Sequence, residues 1–448
     1  MDTIKTSFEK IKALARQEGA AVELLISGSE NLKLGYQKKK LEKFESTQSQ
    51  MAGFRVILKG SQGYAYTENL SDDSLLLTFR EALQNAKVLQ NSAKQKDIPL
   101  AKPNQFQTLD FLKAKNNVDI EQKLKLAAEL EEKVLAQDPR IHSVPYGGYV
   151  DGESFVRVLN SEGLDAQYSQ NYFSAYAYAL AKEGEVSKMD GDATFAREFA
   201  QIDSSEIAKE GASKALSRLG AKKIKTGMYP TIWDREVVST LVHMLEPHLS
   251  ARQVLDGKSL LKDKVGSKIG SDVIEIIDDP LLPEGRASRP FDSEGTASQK
   301  TVLFSHGVLK TYLTNAETAQ ELGVPNTGHA SRSPASKLDI ASSNLIIKAG
   351  ATTRDEMLKR YPEVVVITEI AGGLHAGYKE TTGDFSLPCE GFLYRQGKLV
   401  HAVDQFVVSG NIFDLLKNVE AVGAEYNKTG DTVRAPDLLI TQLSYAGE

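Results

Sequence analysis

The 448-residue chain has one cysteine, one tryptophan and no long apolar run. A single cysteine, Cys389, excludes an intramolecular disulfide framework and any zinc module built from several cysteines. We interpret Cys389, in the sequence P-C-E-G, as a small packed residue and not as a nucleophile. No stretch of about 18 uncharged apolar residues occurs, and the first ten residues lack the apolar core of a signal peptide. The sequence therefore predicts a cytoplasmic protein that does not cross a membrane.

The chain also lacks an excess of positive charge. Lys and Arg number 54 against 60 Asp and Glu, which gives a formal net charge of −6 at pH 7. A dedicated nucleic-acid binder needs a basic face that displaces the counterions of the phosphate groups. The basic triplet Lys38 to Lys40 is flanked by glutamates and is interpreted as a solvated strand edge. We therefore expect no direct binding of nucleic acid.

The residues that are present are typical of a globular protein, with 41% hydrophobic and 25% charged residues. Between residues 22 and 67, short alternating runs are joined by tight turns, and connections this short join antiparallel strands. Helical spacing of apolar residues follows at about 71–91, 119–136 and 204–219. In residues 172–180, Y-F-S-A-Y-A-Y-A-L, large and small residues alternate as in a half-buried strand. Core packing is the expected role of the aromatic residues, and stacking against a ligand is the alternative.

The segment G-A-K-K-I-K-T-G, residues 220 to 227, is typical of a linker between domains. We predict an α+β fold with two domains. The first, residues 1–220, places helices on an antiparallel sheet, because its strands are joined by short turns. The second, residues 221–448, is predicted to be rich in β-strands.

Residues 240–254 contain the main candidates for metal chemistry. His243 and His248 flank Glu246, and imidazoles and a carboxylate are what a catalytic zinc site requires. Histidines four residues apart share one face of a helix, whereas histidines five apart, as here, point about 140° away from each other on a regular helix. The proline before His248 could distort the helix and bring the two rings closer. Met244, directly after His243, cannot act as the general base. Two interpretations stay open: a zinc site, or helix residues that are hydrogen-bonded to their neighbours.

Five segments of the second half place polar residues beside glycine, as functional loops do. They are R-A-S-R-P-F-D-S-E-G-T (286–296), G-V-P-N-T-G-H-A-S-R (323–332), T-E-I-A-G-G-L-H-A (368–376), T-T-G-D-F-S (381–386) and V-S-G-N-I-F-D (408–414). Asp292 and Glu294 would share one face of a strand and could act as an acid/base pair. We expect the loops around Asp292, Glu294, Gly295, His329 and Asp384 to line a substrate-facing or partner-facing surface. Separate surface turns are the alternative.

Taken together, these segments resemble the TldD/TldE family of metallopeptidase subunits, also called PmbA or modulator of DNA gyrase proteins. The likeness covers most of the chain and is densest from residue 280 to 414, in S-R-P-F-D-S-E-G, L-G-V-P-N-T-G-H-A, V-V-V-I-T-E-I-A-G-G, T-G-D-F-S and V-S-G-N-I. TldD-like chains carry an H-E-x-x-x-H zinc motif and a further cysteine ligand near the C-terminus, whereas TldE-like chains lack that set and accompany the catalytic chain. Here His243 and His248 keep the spacing, Met244 replaces the glutamate, and residues 429–448 contain no cysteine.

The resemblance implies a TldE/PmbA-like subunit of a metallopeptidase complex that acts on short or unfolded peptides. It implies a hetero-oligomer with a TldD-like catalytic subunit that holds the zinc, or else a self-dimer. No cofactor is expected in this chain itself. Two alternatives remain: a self-sufficient zinc metallopeptidase that uses His243, Glu246 and His248, and a non-enzymatic binding protein that modulates a partner such as gyrase.

Overall fold

The computed structural model describes residues 3–90, 98–113, 118–283, 285–428 and 431–448. Its mixture of helices and strands, with an antiparallel N-terminal sheet and a β-rich C-terminal region, confirms the predicted fold class. The helices and strands of the N-terminal region are α1 (Thr3–Gln17), β1 (Ala21–Gln37), β2 (Lys40–Leu58), β3 (Ser61–Thr67), α2 (Asp72–Leu89), α3 (Ile120–Leu135), β4 (Ile141–Asn160), β5 (Asp165–Glu183), β6 (Val186–Ala196) and α4 (Ser204–Ser217).

The C-terminal region consists mainly of strands, many of them short. Its elements are β7 (Gly227–Trp233), α5 (Val238–Leu249), α6 (Ala251–Leu255), β8 (Ile276–Asp278), β9 (Thr301–Ser305), β10 (Val308–Leu309), α7 (Ala316–Leu322), β11 (Ala330–Ser331), β12 (Asp339–Ile340), β13 (Leu345–Ile347), α8 (Arg354–Lys359), β14 (Glu363–Ile370), β15 (Tyr378–Lys379), β16 (Asp384–Arg395), β17 (Lys398–Asn411), α9 (Ile412–Lys417), β18 (Val419–Tyr426), β19 (Val433–Arg434) and β20 (Pro436–Ala446). The boundary expected near residue 221 lies in the connection between α4 and β7.

The N-terminal sheet has six strands in the order β3-β2-β1-β4-β5-β6, and all of its pairings are antiparallel. Most of the short runs expected between residues 22 and 67 are in fact parts of two long strands, β1 and β2, of 17 and 19 residues. Lys38 and Lys39 form the turn between them in left-handed conformation, with φ of 51° and 60°. Their backbone N–H groups donate to the carboxylate of Glu131 at 2.7 and 2.8 Å. The interpretation of this lysine triplet as a strand edge is therefore wrong, because two of its residues form a hairpin turn held by α3.

The two faces of β5 are chemically different. The alanines at positions 175, 177, 179 and 181 are buried with the apolar residues of α3 and α4. A Cβ atom on Gly211 of α4 would lie 3.0 Å from the carbonyl oxygen of Ala177, so the helix approaches the sheet too closely for large side chains. Tyr172, Tyr176 and Tyr178 point to the opposite face and keep part of their surface exposed. The expectation that the aromatic residues of this run pack in the core holds for Phe173, which is buried with the alanines, and is wrong for the three tyrosines, which lie on the other face.

The main C-terminal sheet closes on itself. Strands β7, β20, β17, β16 and β14 pair in sequence, and β14 returns to pair with β7 in parallel. Helix α5 buries Leu241, Leu245 and Leu249 in the core that the barrel strands share. A second sheet, in the order β10-β9-β8-β13-β19, packs into the same core. Among the described residues, the structure has no helix long and apolar enough to span a lipid bilayer.

Candidate functional site

Helix α5 carries both histidines of the candidate zinc segment. Pro247 lies inside its last turn, and the helix ends at Leu249. His248 is only 1% exposed. The side chain of His243, by contrast, is 39% exposed. The five-residue spacing therefore directs the two imidazoles into different surroundings.

Both ring nitrogens of His248 are used in hydrogen bonds. The backbone N–H of Leu260 donates to Nδ1 over 3.3 Å, so the proton of the neutral ring is on Nε2, which donates to the hydroxyl of Tyr378 over 3.1 Å. That hydroxyl in turn donates to the carbonyl oxygen of Met244 over 2.7 Å. Burial lowers the pKa of His248, which favours the same neutral form. A metal ion could bind His248 only after one of these bonds had broken.

His243 has a different environment. Its Nδ1 lies 3.1 Å from Oε2 of Glu246, and the other carboxylate oxygen accepts a hydrogen bond from the hydroxyl of Ser342. The hydrogen bond to Glu246 raises the pKa of His243. Burial disfavours ionisation of Glu246, but the hydrogen bonds from His243 and Ser342 outweigh it and lower its pKa. This arrangement orients one imidazole, as carboxylates do for histidines that bind metals or transfer protons.

The donor set does not fit a resident catalytic zinc. Such a site usually has three protein ligands and an adjacent base. Here His248 is hydrogen-bonded at both ring nitrogens, and Met244, at the position of the base, is completely buried, which leaves His243 as the one available imidazole of this helix. Within the residues that the structure describes, no three His, Cys, Asp or Glu side chains are grouped so that they could hold a metal ion. Cys389, which is 2% exposed and whose thiol pKa burial raises to about 12, is a packed core residue.

Asp292 and Glu294 lie in a buried turn, not on a strand. The carboxylate of Asp292 accepts hydrogen bonds from the backbone N–H groups of Glu294, Thr296 and Ala330, at 2.9 to 3.0 Å. One oxygen of Glu294 accepts the N–H of Ala316 over 3.0 Å. Both acidic residues are 1% exposed. In this conformation their carboxylates hold loops together and do not face solvent.

Glu294 also joins the two regions of the chain. Its Oε1 lies 2.6 Å from Nη1 of Arg55 on β2. The same Nη1 lies 3.7 Å from Oε1 of Glu23 on β1. This glutamate oxygen also accepts a hydrogen bond from Nη2 of Arg332 over 2.9 Å. All four residues are more than nine-tenths buried. Two carboxylates and two guanidinium groups thus alternate across the boundary between the N-terminal sheet and the C-terminal loops.

Two glycines allow this close approach. Gly295 has a φ of 80°, and a Cβ atom there would overlap the side chain of Leu164. A Cβ atom on Gly53 of β2 would overlap the backbone of Pro334. The S-R-P-F-D-S-E-G segment is therefore packed directly against the N-terminal sheet.

The other two predicted loop residues have separate partners. His329 is completely buried, with Nε2 2.8 Å from Asp278 and Nδ1 2.9 Å from the hydroxyl of Thr327. Asp384 is exposed and accepts a hydrogen bond from Asn411 over 2.9 Å, which lowers its pKa. The structure thus brings Asp292, Glu294 and Gly295 together in the interior, next to β11, which begins directly after His329. Asp384 lies elsewhere, on the surface beside Asn411. The surface-lining role stays a prediction, and it would require the four buried residues to become exposed.

Sequence reasoning missed the cleft between α4, β6 and the C-terminal barrel. This cavity of about 700 Å³ is lined by charged residues of both regions, including Asp190, Lys214, Arg218, Asp234 and Arg354. The guanidinium of Arg218 contacts Asp190 at 2.7 Å, Glu390 at 3.4 Å and also Glu369. Glu369 belongs to the T-E-I-A-G-G segment, so one partner had a sequence signal. Arg218 had none, because nothing near it in the chain distinguishes it from a solvated helix-end arginine.

Family models match three consecutive parts of the chain. They are described as PmbA/TldA metallopeptidase domain 1, central domain and C-terminal domain, and they match residues 22–86, 113–219 and 226–447. The chain belongs to the TldD/TldE/PmbA family. The resemblance inferred from the sequence motifs is thereby confirmed, and the chain is one of this metallopeptidase-like group.

Relatives in this family match over nearly the whole chain. The chain is 29% identical over 414 residues to an uncharacterised protein of Methanocaldococcus jannaschii, covering 91% of this chain and 93% of that one. It is 26% identical to the metalloprotease PmbA of Escherichia coli O157:H7, covering 100% and 96%. A crystal structure from Thermotoga maritima, of a candidate modulator of a DNA gyrase, superposes with a TM-score of 0.90 at 28% identity and covers 99% of this chain and 100% of that one. The TldE of Thermococcus kodakarensis has the same fold, with a TM-score of 0.86 at 20% identity and coverage of 98% and 100%.

Proposed function

We propose that this chain is the TldE/PmbA-like, non-catalytic subunit of a cytoplasmic TldD/TldE-type metallopeptidase that acts on short or unfolded peptides. In this proposal the chain has no zinc site of its own. It forms a hetero-oligomer with a TldD-like subunit, which holds the zinc and polarises the scissile peptide bond. The chain itself contributes binding surface and stabilises the assembly.

One observation carries the proposal: both ring nitrogens of His248 are occupied, by the Leu260 N–H and by the Tyr378 hydroxyl. A TldD-like site needs this second imidazole as a ligand, together with a glutamate after the first histidine. Met244 occupies that glutamate position and is completely buried. His243 and Glu246 therefore supply one oriented imidazole, which is too few ligands for a catalytic zinc.

The test is to purify the chain alone and together with a TldD-like protein that carries H-E-x-x-x-H. Zinc content is measured by elemental analysis, and peptidase activity with a fluorogenic unfolded peptide. We expect the chain alone to contain no stoichiometric zinc and to hydrolyse nothing. We expect the mixture to be active, and a chelator to abolish that activity through the partner's zinc.

The His243→Ala variant distinguishes the alternatives, with His142→Ala, a change of an exposed histidine in the N-terminal region, as the matched control. If the chain is the non-catalytic subunit, neither change alters zinc content. About one zinc per chain, lost in His243→Ala and kept in His142→Ala, together with chelator-sensitive hydrolysis by the chain alone, would establish the self-sufficient peptidase instead. Absence of hydrolysis in every mixture would favour a binding protein without enzymatic activity.

A further inference from the structure

The exposed side of the N-terminal sheet carries a set of aromatic rings that the proposed function does not explain. We call Tyr172, Tyr176, Tyr178 and Phe195 the aromatic face. The tyrosines alternate along β5, and Phe195 lies on the neighbouring β6, where its ring stacks on Tyr172 with centroids 5.9 Å apart and planes 12° from parallel. Tyr178 is 39% exposed. Ser174 lies on the same face between Tyr172 and Tyr176, whereas Phe173, Ala175 and Ala177 are buried beneath the helices, so the helices pack on the opposite side of the sheet.

The aromatic face forms the floor of a cleft. The cavity has a volume of about 420 Å³, and residues of α4 and of the C-terminal region form its other wall. Asp192 of the edge strand β6 pairs with Ala177 and so lies on the alanine side of the sheet. It binds Nζ of Lys214 and Nζ of Lys428, each at 2.8 Å, and these contacts tie the wall of the cleft to β6. Lys214 and Lys428 also line the 700 Å³ cavity beside Arg218, so the two cavities adjoin.

We propose that the aromatic face is a binding site for an extended polypeptide, which holds a segment of a substrate away from the catalytic zinc of the partner subunit. This inference rests on the proposed function for the identity of the bound chain. From Tyr172 to Tyr178 the strand spans about 20 Å, at ~3.3 Å per residue, which is the length of about six residues of an extended peptide. Tyr172, Ser174, Tyr176 and Tyr178 therefore follow the spacing of alternate side chains of such a peptide, and three of these four positions carry rings.

The charge of the cleft favours a polypeptide over a nucleic acid. Its charged lining residues are three cations and three anions, namely Lys214, Arg286, Lys428, Asp192, Glu236 and Asp431. A site for single-stranded nucleic acid combines aromatic rings with a net positive groove that tracks the phosphates, and here the charges cancel. Tyrosine suits peptide binding because its rigid ring provides contact area and its hydroxyl can bond to peptide groups at low cost in entropy. Such contacts tolerate many sequences, as a protein that takes unfolded peptides requires.

The test uses the full-length chain without a partner and a fluorescein-labelled, uncharged decapeptide of alternating leucine and serine, followed by fluorescence anisotropy. The variant is Tyr176→Ser combined with Tyr178→Ser. Tyr66→Ser is the matched control, because Tyr66 is 54% exposed on β3, at the opposite edge of the same sheet. We expect the double variant to raise the Kd about tenfold, equivalent to about 1.4 kcal/mol. The control is expected to change the Kd less than twofold. Should the double variant not fold, Tyr178→Ser alone carries the test.

Three results would overturn the inference. The wild-type chain could fail to bind the peptide, or the Tyr66→Ser control could raise the Kd as much as the double variant does. The third result is that a 20-mer of deoxythymidine displaces the labelled peptide at a lower concentration than the unlabelled peptide does. In the complex with a TldD-like subunit, the double variant should raise the KM for the decapeptide and leave kcat unchanged. If no mixture has peptidase activity, the proposed function fails while the anisotropy result still decides the binding site. If the mixture is active and the tyrosine variants bind normally, the binding site alone is refuted.

Discussion

Replacing Glu294 with glutamine should destabilise the protein more than any change of an exposed charge. Gln is nearly the same size as Glu, and its amide oxygen can still accept the N–H of Ala316. What disappears is the negative charge 2.6 Å from Nη1 of Arg55. Two buried guanidinium groups, those of Arg55 and Arg332, would then share the single carboxylate of Glu23.

The expected size of the effect follows from burial. The side chains of Arg55, Glu23 and Arg332 are 0% exposed and that of Glu294 is 2% exposed. Removing one partner of a buried ion pair typically costs about 3–5 kcal/mol, because the remaining charge stays desolvated. Taking about 3 kcal/mol, and ~2–4 °C per kcal/mol for a unit of 150–250 residues, we expect the Tm to fall by about 6–12 °C.

The assay is differential scanning calorimetry at pH 8, because burial raises the pKa of Glu294 and the carboxylate must be ionised. Glu18→Gln is the matched control: Glu18 pairs with Lys87 at 2.7 Å, but the two side chains are 44% and 41% exposed. An exposed pair of this kind contributes about 0–1 kcal/mol. If Glu294→Gln lowers the Tm no more than Glu18→Gln does, the buried bridge does not hold the two regions together.

Three further predictions concern the packing of the protein and the titration of the two histidines. Gly53→Ala should destabilise the protein by about 1–3 kcal/mol in urea, because its Cβ would overlap the backbone of a C-terminal loop, whereas Gly227→Ala, with 3.5 Å to the nearest atom, should not. Cys389 should not react with Ellman's reagent at pH 8 until the protein is unfolded; modification of the native protein would contradict its burial. Because folding raises the pKa of His243, the protonated ring stabilises the folded state below the unfolded pKa of about 6.5, and this contribution is lost as the pH rises through the folded pKa. Because folding lowers the pKa of His248, protonation of that ring destabilises the folded state as the pH falls. His243→Gln should therefore cost more stability at pH 5.5 than at pH 8, and His248→Gln more at pH 8; equal costs at both values would refute the assignment.

The sequence predicts those features that depend on near neighbours. The α2 helix begins after Ser71, as expected, because the Ser71 side chain accepts the N–H of Ser74 three residues later. The antiparallel pairings of β1 with β2, β2 with β3, β4 with β5 and β5 with β6 follow from their short turns, whereas the pairing of β1 with β4 joins strands that are distant in the chain. The divergence of His243 and His248 follows from their spacing on one helix, since rotation per residue is a local property.

Features that depend on distant residues escaped prediction. Tyr378 is 130 positions from His248 along the chain. The separation between Arg55 and Glu294 is 239 positions. No periodicity connects residues that far apart, so the burial of Glu294 could not be distinguished from an exposed turn. The same limit applies to the tyrosines of β5, because alternation identifies two faces of a strand but not which one the helices cover.

The interlocked charges of Glu23, Arg55, Glu294 and Arg332 also constrain how the protein is made. Ribosomes release Glu23 and Arg55 long before Glu294 and Arg332, and at ~5–20 residues per second the delay is on the order of tens of seconds. During that interval the N-terminal sheet has a guanidinium without its closest carboxylate, and a strand surface at Gly53 that no loop yet covers. The nascent chain therefore remains open to chaperones and proteases until most of it has been translated, and its N-terminal half acquires full protection only from its C-terminal half.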